Sequence, residues 1–324
     1  MKLGLTLAIS DYDHVRDLTS GKVRPEGIEL TCLDLGVEEI FFRFTAFREW
    51  HVSELSLAKY CSLRASGDES LTAIPVFPSR VFRHSSFYVR RDAGIREPGD
   101  LAGRRIGVPE WAQTAGVFAR GLLVHELGVS LSAVEWVQAG VNEPGRQEQV
   151  PLALPDGVAC TIDSERSLNE LLLAGEIDAA ISAHPPDAFG DAVVRLFPEH
   201  EQLERDYYRR TGIFPIMHIV ALRRDVFDEH PWVAMELLKA FETAKQRSIA
   251  RLLEARASRF PLPWGQQRGA EAIELLGKLW PYGIEPNRKT LEAFLGFCHE
   301  QGVCARLLTP EELVPAEVQQ KFRV

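Results

Sequence analysis

Short apolar runs of strand length alternate with stretches of helical period along most of this chain, a pattern that points to layered α/β architecture. KLGLTLAI reads as a first buried strand and GIELTCLDL as a second. VEEIFFRFTAFREW reads as a helix burying Ile40, Phe41, Phe44 and Phe47. HVSELSLAKYCSLRASG reads as a strand running into a helix capped by Ser53 or Ser56, which puts Ser53 and Glu54 where a helix N-terminus favours an anion. Further on, RRIGV gives a strand, Pro109 a turn, and residues 112–127 a long helix. Glu110, Trp111, Gln113 and Thr114 fall at that handover, where amides and side-chain donors can meet a carboxylate. In an open α/β sheet ligands sit at the carboxyl ends of strands, so the polar turn Ser10–Asp13, with Asp11, is a candidate pocket wall.

The chain has 324 residues, 45% hydrophobic and 26% charged, with a net charge of −9. Those values suit a globular protein and argue against a general nucleic-acid binder, since no basic block offsets the acidity. The start, MKLGLTLAISDYDHVRDL, breaks at Asp11 before it reaches the length of a secretion signal's core, and no run approaches the roughly twenty apolar residues of a membrane span. The five cysteines are scattered and odd in number, as expected of reduced thiols; with the missing signal they imply a cytoplasmic protein. Cys298, His299 and Cys304 lack a second ligand pair and do not read as a metal site.

Residues 74–91, IPVFPSRVFRHSSFYVRR, are the densest candidate for function. Arg80, Arg83 and His84 stand among Val76, Phe77, Val81, Phe82 and Phe87, and cations so placed either face water or await an anion. Forked guanidinium donors at Arg80 and Arg83 would fix a small acid in position and orientation. A solvated rim, or a scaffold pair of Arg83 with Glu54 or Asp11, is the competing reading. TGIFPIMHIVALRRD is a strand interrupted by Pro215 and carrying His218, and a proline there suggests an edge or a passage between domains.

IREPGDLAGRRIGV, the helix after it and LLLAGEIDAAI resemble the type II periplasmic-binding-protein fold, two α/β lobes joined by two crossing segments around a ligand cleft. VSELSLAKY, FPSRVFRHSSFYV, PEWAQTAGVFARG and RTGIFPIMH, in this order and spacing, resemble the 4,5-dihydroxyphthalate decarboxylase family over roughly residues 1–300. The resemblance implies a first lobe of residues 1–95 plus 216–324 and a second of 96–215. It places the crossings near Val89–Ile95 and Phe214–Ile219, with Arg80, Arg83 and His218 at the cleft. It further implies a cytoplasmic carboxy-lyase acting on a small aromatic carboxylate, with no nucleic-acid or membrane partner and with homo-oligomerisation left open.

Such a reaction needs a cationic clamp, a proton donor for the ring carbon, and a group that draws the proton from a hydroxyl para to the departing carboxylate. Under the resemblance, Arg80 and Arg83 hold the carboxylates with Gln113 and Thr114 helping, and Ser53 offers a further contact. His218 is the acid, Glu110 or Asp11 accepts the hydroxyl proton, and His84 and His184 stand in reserve. No electron-sink cofactor is required, and no GxGxxG or Walker-type loop occurs. A divalent metal on His184, His218 and a carboxylate is disfavoured because the histidines lack short ligand spacing. The competing function is a non-catalytic solute receptor for an ABC transporter, which the same fold serves; a regulator's sensing domain is a weaker rival.

Overall fold

The computed structural model describes residues 2–257 and 259–319, so residues 1, 258 and 320–324 of the expected first lobe lie outside the described residues. The chain opens with β1 (Leu3–Ala8), α1 (Arg16–Thr19), β2 (Ile28–Leu33), α2 (Val37–Phe47), β3 (Val52–Ser56), α3 (Leu57–Ala65) and β4 (Leu71–Ile74). It continues with β5 (Phe87–Arg90), β6 (Arg105–Val108), α4 (Thr114–His125), β7 (Glu135–Gln138), β8 (Cys160–Ile162), α5 (Leu168–Leu173), β9 (Ala179–Ile181), β10 (Val193–Arg195) and α6 (His200–Thr211). Last come β11 (His218–Arg223), α7 (Arg224–Glu229), α8 (Trp232–Leu252), α9 (Gly265–Leu276) and α10 (Arg288–Glu300).

Two mixed sheets result, one in the order β2-β1-β3-β11-β4 and the other β10-β5-β9-β6-β7-β8. Parallel pairing of β1 with β2 and β3 in the first sheet, and of β6 with β7 and β9 in the second, needs helical crossovers, which explains the strand–helix alternation. The strands that return between lobes run the other way: β11 is antiparallel to β3 and β4, and β5 to β9 and β10.

The first passage falls earlier than the sequence suggested. Phe87–Arg90 hydrogen-bonds into the second sheet, so the chain crosses within residues 75–86, and Val89–Ile95 lies wholly on the far side. The second crossing ends at His218, with Pro215 just before an inner strand and not within it. The two crossings touch through a bridge between Arg80 and Ile216 and through Met217 N–H donating to Ser79 O at 2.8 Å. In α2, Ile40 and Phe44 are buried as expected, but Phe47 is 66% exposed because it ends the helix beyond the core stripe.

A brace near the C-terminus crosses the two lobes. Tyr60 of α3 donates to Leu313 O at 2.6 Å, while Phe118 of α4 stacks on Phe294 of α10 at 4.7 Å. The wholly buried Arg120 donates to Gln301 Oε1 and to Trp111 O, with its guanidinium 3.9 Å from the Trp111 ring centroid. Gly121 permits this approach, since a Cβ there would lie 2.5 Å from the Phe297 ring. Among the described residues no helix is long and apolar enough to cross a membrane, and all five cysteines are unpaired.

Candidate active site

The carboxyl ends of the parallel strands in both sheets, together with the starts of the returning strands β5 and β11, gather at the crossings, the position where open α/β sheets bind ligands. Glu54 lies within β3, opposite Val220 of β11, and is completely buried. Its Oε1 is 2.6 Å from His218 Nδ1 and accepts from the Tyr12 hydroxyl at 2.6 Å, while its Oε2 accepts the Ser10 N–H at 3.1 Å. The turn after β1 therefore contributes Tyr12 and a backbone amide to the wall. Burial first, and then the charge of Glu54, push the Tyr12 phenol far above its ordinary pKa, so Tyr12 remains a hydrogen-bond donor.

This arrangement orients the imidazole. With Nδ1 directed at a buried carboxylate, Nε2 is the nitrogen left to exchange a proton, and it has no hydrogen-bond partner among the described residues. The edge of the pair is closed by Phe41, whose ring meets His218 at 4.8 Å in a T-shaped contact. Phe41 also lines a cavity of about 810 Å³ between α2, α3 and the 140–149 segment, a size within the range of small-molecule sites.

Arg83 stands beside this dyad's strand. Among the described residues its Nε and Nη2 reach only the sulfur of Met217, at 3.2 and 2.7 Å, and a thioether is a weak acceptor. Among the described residues no carboxylate makes an ion pair with it, and burial lowers its pKa to about 10, which leaves it charged at neutral pH. A half-buried guanidinium so poorly matched gains strongly from an incoming carboxylate.

The other expected site residues divide. Arg80 is held by the scaffold: its guanidinium donates to Phe214 O, Pro281 O and Asn287 Oδ1 and packs on Phe77 and Phe214, although it also lines a smaller cavity away from His218. Asp11 faces solvent in an ion pair with Arg16 at 2.8 Å and so is no general base within the cleft. Ser53 is sealed inside β3, donating to Glu54 O at 2.9 Å, because the strand runs on to Ser56 and the helix begins only at Leu57. His84 is buried between Phe197 and Tyr207, and burial lowers its pKa to about 4, so it is a neutral core residue.

Thr114 joins the lobes and leaves no hydroxyl spare, with Ser56 Oγ at 2.9 Å and the Ala58 N–H donating to it at 3.0 Å. Glu110 is buried between two cations, Lys59 Nζ at 3.0 Å and Arg146 Nε at 2.6 Å, and is held as an ion-pair partner instead of standing free as a base. Gln113 caps α4 with its Oε1 shielded and unpartnered, and His184 is an exposed part of the cavity wall. Among the described residues no group of three His, Cys, Asp or Glu side chains is placed to hold a metal ion, so His184, His218 and a carboxylate do not assemble as one.

The sequence reading missed Glu54 as the partner of His218, and with it Tyr12, Phe41, Lys59 and Glu148. A single glutamate inside the apolar strand VSELS was the available signal, since an unpaired buried carboxylate is too costly to retain without a partner.

No family model matches this chain. A 4,5-dihydroxyphthalate decarboxylase from Comamonas testosteroni is 38% identical over 328 aligned positions, spanning 100% of this chain and 99% of the relative. Another from Pseudomonas putida is 38% identical over 212 positions, covering 64% of this chain and 82% of its own length. Among solved structures, the periplasmic aliphatic sulphonate binding protein SsuA from Escherichia coli aligns with a TM-score of 0.53 at 10% identity, covering 98% of this chain and 99% of that one. That structural likeness carries the two-lobed fold alone. The full-length sequence match goes further: the chain belongs to the 4,5-dihydroxyphthalate decarboxylase family.

Proposed function

We propose that this protein removes one carboxyl group from 4,5-dihydroxyphthalate, giving carbon dioxide and 3,4-dihydroxybenzoate, with His218 as general acid. The observation that supports the residue assignment is the imidazole held by buried Glu54 and packed against Phe41, a residue that also lines the cavity. Direct loss of carbon dioxide from an aromatic ring would leave a carbanion in the ring plane with no resonance outlet. Protonating the ring carbon first removes that difficulty.

The hydroxyl para to the departing carboxylate loses its proton and feeds an electron pair into the ring. His218 Nε2–H gives a proton to the carbon bearing that carboxylate. The carbon–carboxylate bond then breaks, its electrons restore aromaticity, and the oxygen is reprotonated. One proton is consumed overall, and solvent returns it to His218. Arg83 grips the carboxylate that stays, exchanging a sulfur contact for a charge-assisted fork. Gln113 reaches the ligand from the second lobe.

Incubating the purified protein with 4,5-dihydroxyphthalate should release carbon dioxide and 3,4-dihydroxybenzoate in equal amounts; binding without turnover would make it a receptor. In His218→Ala the turnover number should fall about 10²–10⁴-fold while substrate affinity changes little. Turnover close to wild type in that variant would remove His218 from the acid role.

A further inference from the structure

The cavity wall carries two charged groups that the mechanism above leaves unused. Lys59, one turn into α3 and 3% exposed, places its ammonium 3.0 Å from Glu110 Oε2 and 2.6 Å from Gln149 Oε1. An ammonium has three donors, and with one hydrogen bond to Gln149 and an ion-pair contact to Glu110 at least one N–H remains for the cavity that Lys59 lines. Glu148 lines the same wall, its carboxylate fixed by the N–H groups of Ala112 at 3.0 Å and Gln149 at 3.2 Å. Each carboxylate oxygen keeps a second lone pair, and among the described residues neither oxygen pairs directly with a cation. Burial raises the Glu148 pKa, the charge of Glu110 adds to the rise, and the Ala112 N–H and Lys59 oppose it. Arg120 and Cys160 are the other titratable groups that feel its charge.

Resting on the decarboxylase reading, we infer that Glu148 accepts the proton of the hydroxyl para to the departing carboxylate and that Lys59 steadies the resulting oxyanion. The ring lies along Phe41 with its carboxylates toward Arg83 and His218 and its hydroxyls toward this wall. The O–H bond breaks toward a Glu148 oxygen, and its electron pair moves into the ring as His218 protonates the far carbon. After carbon dioxide leaves, the proton returns from Glu148 to the same oxygen. Glu110, locked between Lys59 and Arg146, serves to hold the lysine in place.

The test compares the reactive substrate with phthalate, which has both carboxylates and no hydroxyl. Glu148→Gln should lower turnover of 4,5-dihydroxyphthalate about 10²–10⁴-fold, while the inhibition constant for phthalate stays within a few-fold of wild type. Glu148→Asp should recover part of the lost turnover. The inference is overturned if Glu148→Gln turns over at a near-normal rate, or if phthalate affinity falls in step with turnover, the mark of a disturbed fold. A wild-type protein that releases no carbon dioxide would instead sink the decarboxylase reading itself.

Discussion

A guanidinium removed from water must find partners for its donors, and two arginines three residues apart meet that demand in opposite ways. Arg80 has two backbone carbonyls and the Asn287 side chain; Arg83 has one thioether. Replacing Arg80 with methionine strands buried acceptors, so we expect Arg80→Met to cost about 2–4 kcal/mol, read as a lower urea midpoint, with KM of the folded enzyme little changed. Arg83→Met removes a carboxylate's fork and leaves nothing unpaired, so KM should rise about 10- to 100-fold while the midpoint holds. If the two variants exchange these phenotypes, the clamp has been assigned to the wrong arginine. Sequence could name both arginines but not separate them. They lie in an irregular crossing where no period of 2 or 3.6 tells which way a side chain points.

At the scale of elements, period did most of the prediction, and its failures are physical. Elements with a clear buried pattern, such as β1, β2 and α4, lie where alternation or amphipathicity put them. The sequence places the residues of β5 in the first lobe and its crossing, yet they pair in the second sheet, because pairing partners are a tertiary property. Ser53 failed by one position: in a strand adjacent side chains take opposite faces, and the Glu54 face, not the Ser53 face, meets His218. The brace by α10 carried no motif at all, since it depends on a glutamine and an arginine far apart in the chain. Gln301 accepts from Arg120 Nε at 2.9 Å and donates to Val117 O at 2.9 Å. Gln301→Leu leaves a buried cation and a carbonyl underpaired, and should lower stability by about 2–4 kcal/mol. A thermal midpoint within one degree of wild type would show that the brace is dispensable.

For the molecule as a whole, a strong pH signal comes from two histidines that the mechanism does not use. His14, in the first lobe, packs between Tyr12 and Trp280, and burial, aided by the charge of Lys245, lowers its pKa to about 4. His84, next to the second sheet, is brought to about 4 by burial, aided by Arg210 and His200; Glu204, 4.0 Å away, is too distant to reverse this. In the unfolded chain both rings take up protons near pH 6.5. The folded state refuses those protons until about pH 4, so unfolding binds protons throughout the window between, and stability falls as the solution is acidified through it. Two such groups give a limiting slope of about 2.7 kcal/mol per pH unit. Urea midpoints measured from pH 7 to pH 4.5 should therefore drop steeply below about pH 6.5, with both lobes losing stability together. His84→Phe, which keeps a ring among Phe197 and Tyr207 but cannot bind a proton, should remove roughly half of the slope; an unchanged slope would mean that His84 titrates normally in the folded protein.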